Sequence, residues 1–269
     1  MAEGGPERFF RVARPKAAGE VVSSSMSAGP WLNGPSGRPL AGALGVLIDN
    51  AAGYVFVLRH PPGGSSVSAE ITLDLLRPVP ADGSVLTAEG IVRHVGQAGG
   101  FSSASVTDGS GQLLAVATQH GRWVRAAPAA DGSVPAGNGT ALAGYVPLAA
   151  DLEGFLGGQA RAADGGALLE LTVTPWLTNP LGNMHGGITL CACDLVAQAA
   201  IDAAGGPPRT ASIHVAYTRP IPAGTRVRFT AEVAHLGRAF AVVRVTALDD
   251  SGRPCAIATV TTGPTESLS

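Results

Sequence analysis

The chain has little charge, almost no lysine, few aromatic residues and only three cysteines. Charged residues make up 14% of its 269 positions, the formal net charge is −2, and Lys16 is the single lysine. The arginines are scattered and never consecutive, so the chain lacks the dense positive surface by which proteins bind nucleic acid or anionic membranes. We therefore expect neither kind of partner.

The cysteines and the apolar runs indicate where the chain resides. Cys191 and Cys193 lie in one apolar run, at a spacing that cannot be bridged comfortably, and Cys255 would be left over. We expect all three thiols to be reduced and buried. No apolar stretch approaches the roughly 20 residues of a bilayer-spanning helix, and the N-terminus lacks the basic-then-apolar pattern of a signal peptide. These features predict a soluble cytoplasmic protein.

Several common sites are missing from the sequence. There is no Gly-x-Ser-x-Gly elbow, which disfavours a serine hydrolase, and no phosphate-binding loop or dinucleotide fingerprint. The histidines outside one motif show no metal-ligand spacing. We therefore expect no metal and no bound cofactor.

One pattern occurs twice in the chain. A constant spacing of 145 residues separates Trp31 from Trp176 and Asp49 from Asp194. The repeat predicts two modules of ordinary domain size: residues 1–130, a linker at 131–144 whose composition is rich in Gly, Ala and Pro, and residues 145–269. Residues 1–20 have a composition that predicts loose order.

Only the second copy is chemically complete. It contains Asn179, His185 and Gly186, whose counterparts in the first copy are Gly34, Leu40 and Ala41. Both copies keep the Asp. A duplication in which one half has lost its polar groups predicts a single working site built from two unequal halves.

Each copy shows the same order of elements. A short strand precedes the Pro-Trp-Leu sequence, an apolar run of helical length follows at 42–58 or 186–203, and four strands complete the module. The strand after the helix alternates apolar and polar residues, which predicts that Ser68 and Thr210 lie on the face away from the core. A helix that is apolar on all sides must be buried all round, so we expect an α+β fold in which an antiparallel sheet wraps each helix.

The element order and the sequence Asn-x-x-Gly-x-x-His-Gly-Gly resemble the hotdog fold, and specifically the PaaI-type branch of hotdog acyl-CoA thioesterases. The motif falls at the family's spacing from Asn179 to Asp194, and the resemblance covers nearly the whole chain twice, as a double hotdog. It implies hydrolysis of an acyl-CoA thioester to a free acid and CoA, with CoA entering as part of the substrate.

The residues of the motif have chemical interpretations and structural ones. Gly186 and Gly187 open a helix, where free N–H groups can stabilise the negative charge that develops on a thioester carbonyl, or simply allow a tight turn. The resemblance implies that His185 supports this donor. Asn179 either holds a carboxylate or a water, or makes an Asx turn before Pro180.

Asp49 and Asp194 each lie within an apolar helix, with no basic residue at helical spacing. A carboxylate in such surroundings is a candidate nucleophile or general base. Ser68 and Thr210 each orient a water beside an Asp, or are ordinary strand hydroxyls.

In the family, two hotdogs pair with antiparallel helices, so the start of one helix faces the middle of the other. Carried over, this implies one composite site and a second, degenerate one. The composite site comprises Asn179, His185 and Gly186 with Asp49 and Ser68. The degenerate site comprises Asp194 and Thr210, opposite Gly34, Leu40 and Ala41.

Further expectations concern binding and assembly. Arg93, Arg209 and Arg238 are candidates for contacts to the CoA phosphates, and the resemblance implies a homo-oligomer of two or more chains. Two alternatives to the hydrolase remain: a non-catalytic acyl-CoA sensor, and a hotdog enoyl-CoA hydratase. The hydratase branch places Asp and His close together on a differently shaped loop, which this sequence lacks.

Overall fold

A computed structural model describes residues 5–125 and 151–264 of the chain. The first module consists of α1 (Gly5–Phe9), β1 (Lys16–Ala18), β2 (Val21–Ser27), α2 (Gly45–Val57), β3 (Gly64–Leu75), β4 (Val85–Val95), β5 (Gly99–Thr107) and β6 (Leu113–Arg125). The second consists of α3 (Leu152–Leu156), β7 (Arg161–Ala163), β8 (Gly166–Thr172), α4 (Gly186–Ala204), β9 (Arg209–Tyr217), β10 (Arg226–Leu236), β11 (Ala241–Asp249) and β12 (Pro254–Gly263). The expected linker at 131–144 lies outside the described residues, and the module boundaries remain predictions.

The two modules share one antiparallel sheet of twelve strands, in the order β1-β2-β4-β5-β6-β3-β9-β12-β11-β10-β8-β7. The modules join at its centre, where β3 pairs with β9 from Glu70 opposite Ala216 to Asp74 opposite Ser212. Each half of the sheet covers one long helix, as expected. The α+β double hotdog that the sequence predicts is therefore the observed architecture.

The two long helices begin differently. α4 starts at Gly186, and the His185 side chain caps it by accepting a hydrogen bond from the Gly187 N–H; the left-handed Gly205 (φ 66°) ends it. α2 is preceded by a 3₁₀ turn, Ala41–Leu44, and no side chain caps either segment. The copy with the complete motif therefore begins its long helix with a side-chain cap, and the copy without it begins with an uncapped 3₁₀ turn.

One helix in the described residues, α4, is long and apolar enough to cross a membrane by composition alone. This corrects the expectation that no such stretch exists. In the structure 78% of its most apolar window is buried inside the protein, because the sheet surrounds it. The length and hydropathy of α4 are thus explained by its place in the core.

Close packing between the helix starts brings the two modules' polar residues together. A Cβ on Gly45 would lie 2.5 Å from the Gly187 carbonyl oxygen, and one on Gly42 would lie 2.7 Å from the Asp194 Cβ. Real Cβ atoms do not approach so closely, so glycine is required at both positions. The starts of the two helices therefore lie against each other, and the turn before α2 lies against Asp194 in the middle of α4.

The expected orientation of Ser68 and Thr210 is wrong. The pairing register skips one residue after Ser68 on β3, and it skips one residue again after Thr210 on β9. Such a β-bulge reverses the alternation of side chains on one side of it. Both hydroxyls consequently face the helices rather than the outer face of the sheet.

Residues 1–20, expected to be loosely ordered, contain α1 and β1 from Gly5 onward. The ring of Phe9 in α1 stacks on Phe155 of the second module, with centroids 4.0 Å apart and an interplanar angle of 7°. This aromatic contact lies between the two modules and orders a segment whose composition alone suggests a tail. The three cysteines are free and buried, as expected.

Candidate active site

Asp49, on α2, is the centre of a hydrogen-bonded cluster that both modules build. Its Oδ1 accepts hydrogen bonds from Ser68 Oγ at 2.8 Å and from Gln119 Nε2 at 3.1 Å. Its Oδ2 accepts one from the Gly187 N–H at 3.2 Å. The Asp49 side chain is 11% exposed. A nearly buried carboxylate is thus held by three donors while its Oδ2 faces the start of α4.

His185 adjoins the same carboxylate. Its Nδ1 accepts a hydrogen bond from the Gly187 N–H at 3.0 Å and lies 3.3 Å from Asp49 Oδ2. One N–H is therefore shared between an imidazole nitrogen and a carboxylate oxygen. The imidazole is 6% exposed, and its other nitrogen faces Glu7.

Gly186 completes the arrangement. A Cβ at this position would lie 2.7 Å from Asp49 Oδ2, so only glycine lets the carboxylate approach. Gly186 is partly exposed, and its N–H has no hydrogen-bond acceptor among the described residues. A free N–H at the positive end of a 19-residue helix, beside a carboxylate, is suited to binding a developing oxyanion.

Tyr217, at the end of β9, fixes the first peptide of α4. Its hydroxyl donates a hydrogen bond to the Gly186 carbonyl at 2.8 Å. Burial and the nearby Asp49 charge raise the pKa of Tyr217 well above its usual value. The phenol therefore stays protonated at neutral pH and remains a donor.

Asn179 lies apart from this cluster. Its Oδ1 accepts hydrogen bonds from the backbone N–H groups of Leu181 at 3.0 Å and Asn183 at 3.2 Å. This is the Asx turn that the sequence left open as an alternative. Among the described residues Asn179 has no hydrogen bond to Asp49 or His185. Its role in the structure is to shape the loop that leads to His185.

The second site is closed by its own carboxylate. Asp194 is fully buried and accepts hydrogen bonds from Thr210 Oγ1 at 2.7 Å and from the Gly42 N–H at 2.8 Å. Ala41, the counterpart of Gly186, is itself buried, whereas Gly186 is partly exposed. Burial raises the pKa of Asp194 to about 6.

The two sites obtain their glutamine from different elements. Gln198, on α4, donates to Thr210 Oγ1 at 2.9 Å, whereas Gln119, on β6, donates to Ser68 Oγ at 2.7 Å. The counterpart of Gln198 in the first copy is Gly53, and a Cβ there would lie 3.2 Å from Gln119 Nε2. The absence of a side chain at Gly53 therefore makes room for the glutamine from the sheet.

A cavity of about 150 Å³ borders the second site. Its lining combines apolar side chains, including Leu40 and Leu75, with Gln198, Thr210 and three arginines, Arg38, Arg77 and Arg209. The Gly42 N–H beside it is already bound to Asp194. The cavity thus adjoins a site whose carboxylate is fully buried.

The three arginines suggested for CoA phosphates do not converge. Arg93 lies on β4 and donates to Ser103 Oγ at 2.7 Å. Arg209 lines the cavity at the second site and donates to the Leu75 carbonyl at 3.3 Å, and Arg238 is exposed between β10 and β11. Among the described residues none hydrogen-bonds or ion-pairs with Asp49 or His185, and their contact with CoA phosphates stays a prediction.

Sequence reasoning did not identify Glu7, Gln119 and Tyr217. For Tyr217 a signal was present: at the spacing of 142 residues that separates Ser68 from Thr210, its counterpart in the first copy is Leu75, and a polar residue found in only one copy marks the complete site. Gln119 and Glu7 reach the cluster through strand pairing and through packing between modules, which no local pattern encodes. Within residues 5–125 and 151–264 no group of His, Cys, Asp and Glu is arranged to hold a metal ion.

Comparisons with known proteins bear on both modules. Residues 174–263 match a family model described as the acyl-CoA thioesterase N-terminal domain, and residues 41–115 match one described as the thioesterase superfamily. The two ranges together span more than half of the chain. No curated protein sequence matches the chain.

Solved structures of similar fold cover nearly the whole chain. The tesB protein of Mycobacterium avium subs paratuberculosis has a TM-score of 0.63 at 12% identity, covering 93% of this chain and 95% of its own. An acyl-ACP thioesterase from Bacteroides thetaiotaomicron has a TM-score of 0.57 at 13% identity, covering 90% and 97%. A candidate thioesterase II from Thermobifida fusca has a TM-score of 0.63 at 10% identity, covering 97% and 99%. At these identities the likeness shows the fold alone.

Proposed function

The chain belongs to the thioesterase superfamily as a thioester hydrolase with two of its domains in tandem, and from this premise we propose that it hydrolyses an acyl-CoA thioester at one composite site. The match of the second module to an acyl-CoA thioesterase domain supports CoA as the carrier. The observation on which the proposal rests is the free Gly186 N–H of one module beside the Asp49 carboxylate of the other.

The substrate carbonyl oxygen would accept a hydrogen bond from the Gly186 N–H, which stabilises the oxyanion as it forms. Asp49 Oδ2 then either removes a proton from an attacking water or attacks the carbonyl carbon itself. In both cases the C–S bond breaks, CoA leaves as a thiolate that takes up a proton, and water supplies the second oxygen of the acid.

Ser68 and Gln119 hold Asp49 for this task. Gln119 donates to Ser68 Oγ, and Ser68 donates to Asp49 Oδ1. These two hydrogen bonds fix the plane of the Asp49 carboxylate and leave Oδ2 directed at the start of α4. Within the proposal, His185 supports the Gly187 N–H, and Asn179 shapes the loop before it.

A panel of acyl-CoA substrates of different chain length tests the proposal by release of free CoA from the purified protein. We expect turnover with at least one substrate, and we expect Asp49→Asn to lower kcat by about 10³-fold, as loss of a catalytic base or nucleophile does. Tight acyl-CoA binding without turnover would instead favour a sensor. Hydration of an enoyl-CoA without CoA release would favour a hydratase.

Two further expectations belong to this proposal. We propose a homo-oligomer, which light scattering of the purified protein tests, and a cytoplasmic location, which fractionation of the producing cell tests. A monomer in solution would remove the first without affecting the composite site, because both modules that build the site belong to one chain.

A further inference from the structure

We infer that Glu7, near the beginning of the chain, is a positioning residue that determines which imidazole nitrogen of His185 carries the proton. The expected change in kcat rests on the proposed function, whereas the expected position of the proton on His185 does not. Glu7 belongs to α1 of the first module, while His185 opens α4 of the second. The two residues are 178 positions apart and meet only through the packing of the modules.

The carboxylate of Glu7 lies against the far nitrogen of the imidazole. Glu7 Oε1 is 3.7 Å from His185 Nε2, which is longer than a hydrogen bond. The Glu7 side chain is 18% exposed, and its Oε2 is shielded from solvent and has no hydrogen-bond partner among the described residues. A shielded acceptor without a donor is costly, so the placement of this carboxylate, with its Oε1 beside an imidazole nitrogen, calls for an explanation.

α1 is fixed in place by direct contact with the second module. A Cβ on Gly5 would overlap the backbone of Trp176, so α1 packs against the Pro175–Leu177 turn that precedes the active-site loop. Phe9 stacks on Phe155 at 4.0 Å. Glu7 therefore approaches His185 from a segment anchored on both sides.

The hydrogen bonds of His185 define what Glu7 does. Because Nδ1 accepts from the Gly187 N–H, we assign the ring N–H to Nε2, where it faces the Glu7 carboxylate. The negative charge of Glu7 stabilises an N–H that points toward it. Glu7 thereby keeps Nδ1 as an acceptor, which orients the Gly187 N–H and the first turn of α4 beside Asp49.

The second site keeps a glutamate but not the histidine. α1 and α3 end in the same way: the Val12 N–H donates to the Glu7 carbonyl and the Gly158 N–H donates to the Glu153 carbonyl, so Glu153 is the counterpart of Glu7. Glu153 Oε1 instead accepts a hydrogen bond from the Ala160 N–H at 2.8 Å. The counterpart of His185 is Leu40, which has no proton to position. A glutamate with an unsatisfied oxygen therefore occurs only where the histidine is present in these two sites.

The test measures the protonation of His185 directly, by two-bond ¹H–¹⁵N correlation in protein labelled with ¹⁵N-histidine. We expect wild type to hold His185 in the Nε2–H form at neutral pH, and Glu7→Gln to give a mixture of both forms. In the same variant we expect kcat to fall about 10- to 100-fold with KM within about twofold, the usual effect of removing an orienting carboxylate. Glu153→Gln is the matched control and should alter neither quantity.

The outcomes separate this inference from the proposed function. An Nδ1–H form in wild type, or a Glu7→Gln variant with unchanged His185 signals and kcat, would overturn the role of Glu7 and leave hydrolysis intact. A wild-type protein that hydrolyses no thioester would refute the proposed function, while its histidine signals would still decide the inference. If Glu7→Gln does not fold, the ¹H–¹⁵N correlation of His185 in the wild-type protein decides the inference alone.

Discussion

Asp49 and Gly187 are joined across the two modules by a hydrogen bond of 3.2 Å from the Gly187 N–H to Oδ2. The pseudo-symmetric pair, Gly42 and Asp194, makes the same contact at 2.8 Å. The difference is that His185 shares the Gly187 N–H, whereas Leu40 leaves the Gly42 N–H entirely to Asp194. The chain thus contains one open and one self-satisfied version of a single arrangement.

The buried state of Asp194 predicts a pH dependence of stability. Its pKa is about 6 in the folded protein and about 3.9 in an unfolded chain. Between these values the folded state binds the extra proton, so its free energy of unfolding falls as pH rises from about 4 to about 6, by roughly 3 kcal/mol. We expect the free energy of unfolding of Asp194→Asn, measured with urea, to lack this pH dependence. Between pH 4 and pH 7 the stability of the variant should therefore rise relative to that of wild type.

The same variant is informative about function. Because Asp194 is fully buried and Leu40 replaces His185 in its site, Asp194→Asn should retain most of the wild-type kcat, in contrast to Asp49→Asn. A variant that keeps its fold but loses turnover would show that the second site, and not the first, performs the reaction.

The architecture could be predicted from the sequence because the patterns that define it are periodic. Two copies at constant spacing, a helix apolar on all sides and alternating strands are each readable locally, and together they define a sheet wrapped around a helix. The short elements α1, β1, α3 and β7 span only three to five residues each. Such lengths leave no period to detect, which is why the segment that contains Glu7 was expected to be loose.

The site was predictable only where the duplication exposed it. Comparing the copies singles out His185 and Gly186, because Leu40 and Ala41 replace them. It fails for Ser68 and Thr210, because a bulge that both copies share reverses their faces without any difference between the copies to reveal it. Gln119 is likewise invisible, since the second site takes its glutamine from the helix.

Gly186 provides a direct test of the space beside Asp49. In Gly186→Ala the new Cβ would lie 2.7 Å from Asp49 Oδ2, so the carboxylate must move away from the reacting position. We expect kcat to fall by about 10²- to 10³-fold with the fold retained, because the atom displaced belongs to a side chain. The counterpart change, Ala41→Gly, should leave kcat near wild type. Equal kcat in wild type and Gly186→Ala would remove Gly186 from the mechanism.

Ser68 and Thr210 occupy equivalent positions, yet their substitutions should have opposite consequences. Ser68→Ala removes a donor to Asp49 and should lower kcat by about tenfold or more, with a smaller effect on the melting temperature. Thr210→Val removes a donor to fully buried Asp194 and should destabilise the protein by about 1–3 kcal/mol while kcat is retained. Paired thermal unfolding and steady-state kinetics measure both. Loss of kcat in Thr210→Val alone would reverse the assignment.

Tyr217 tests whether the orientation of the first α4 peptide matters for the reaction. Its hydroxyl holds the Gly186 carbonyl, and this carbonyl belongs to the same peptide as the Gly187 N–H that contacts Asp49. Tyr217→Phe keeps the ring in the core and deletes one hydrogen bond, so the free energy of unfolding should fall by only about 1 kcal/mol.

If the peptide must be fixed for Gly186 and Gly187 to present their N–H groups, kcat of Tyr217→Phe should fall about tenfold while KM changes little, since the lost interaction orients a transition-state donor. Leu75→Met is the matched control, because Leu75 occupies the counterpart position in the site of the fully buried Asp194. A Tyr217→Phe variant with a raised KM and an unchanged kcat would show instead that the tyrosine shapes the binding cleft. Steady-state kinetics on the best substrate from the acyl-CoA panel distinguish the two results.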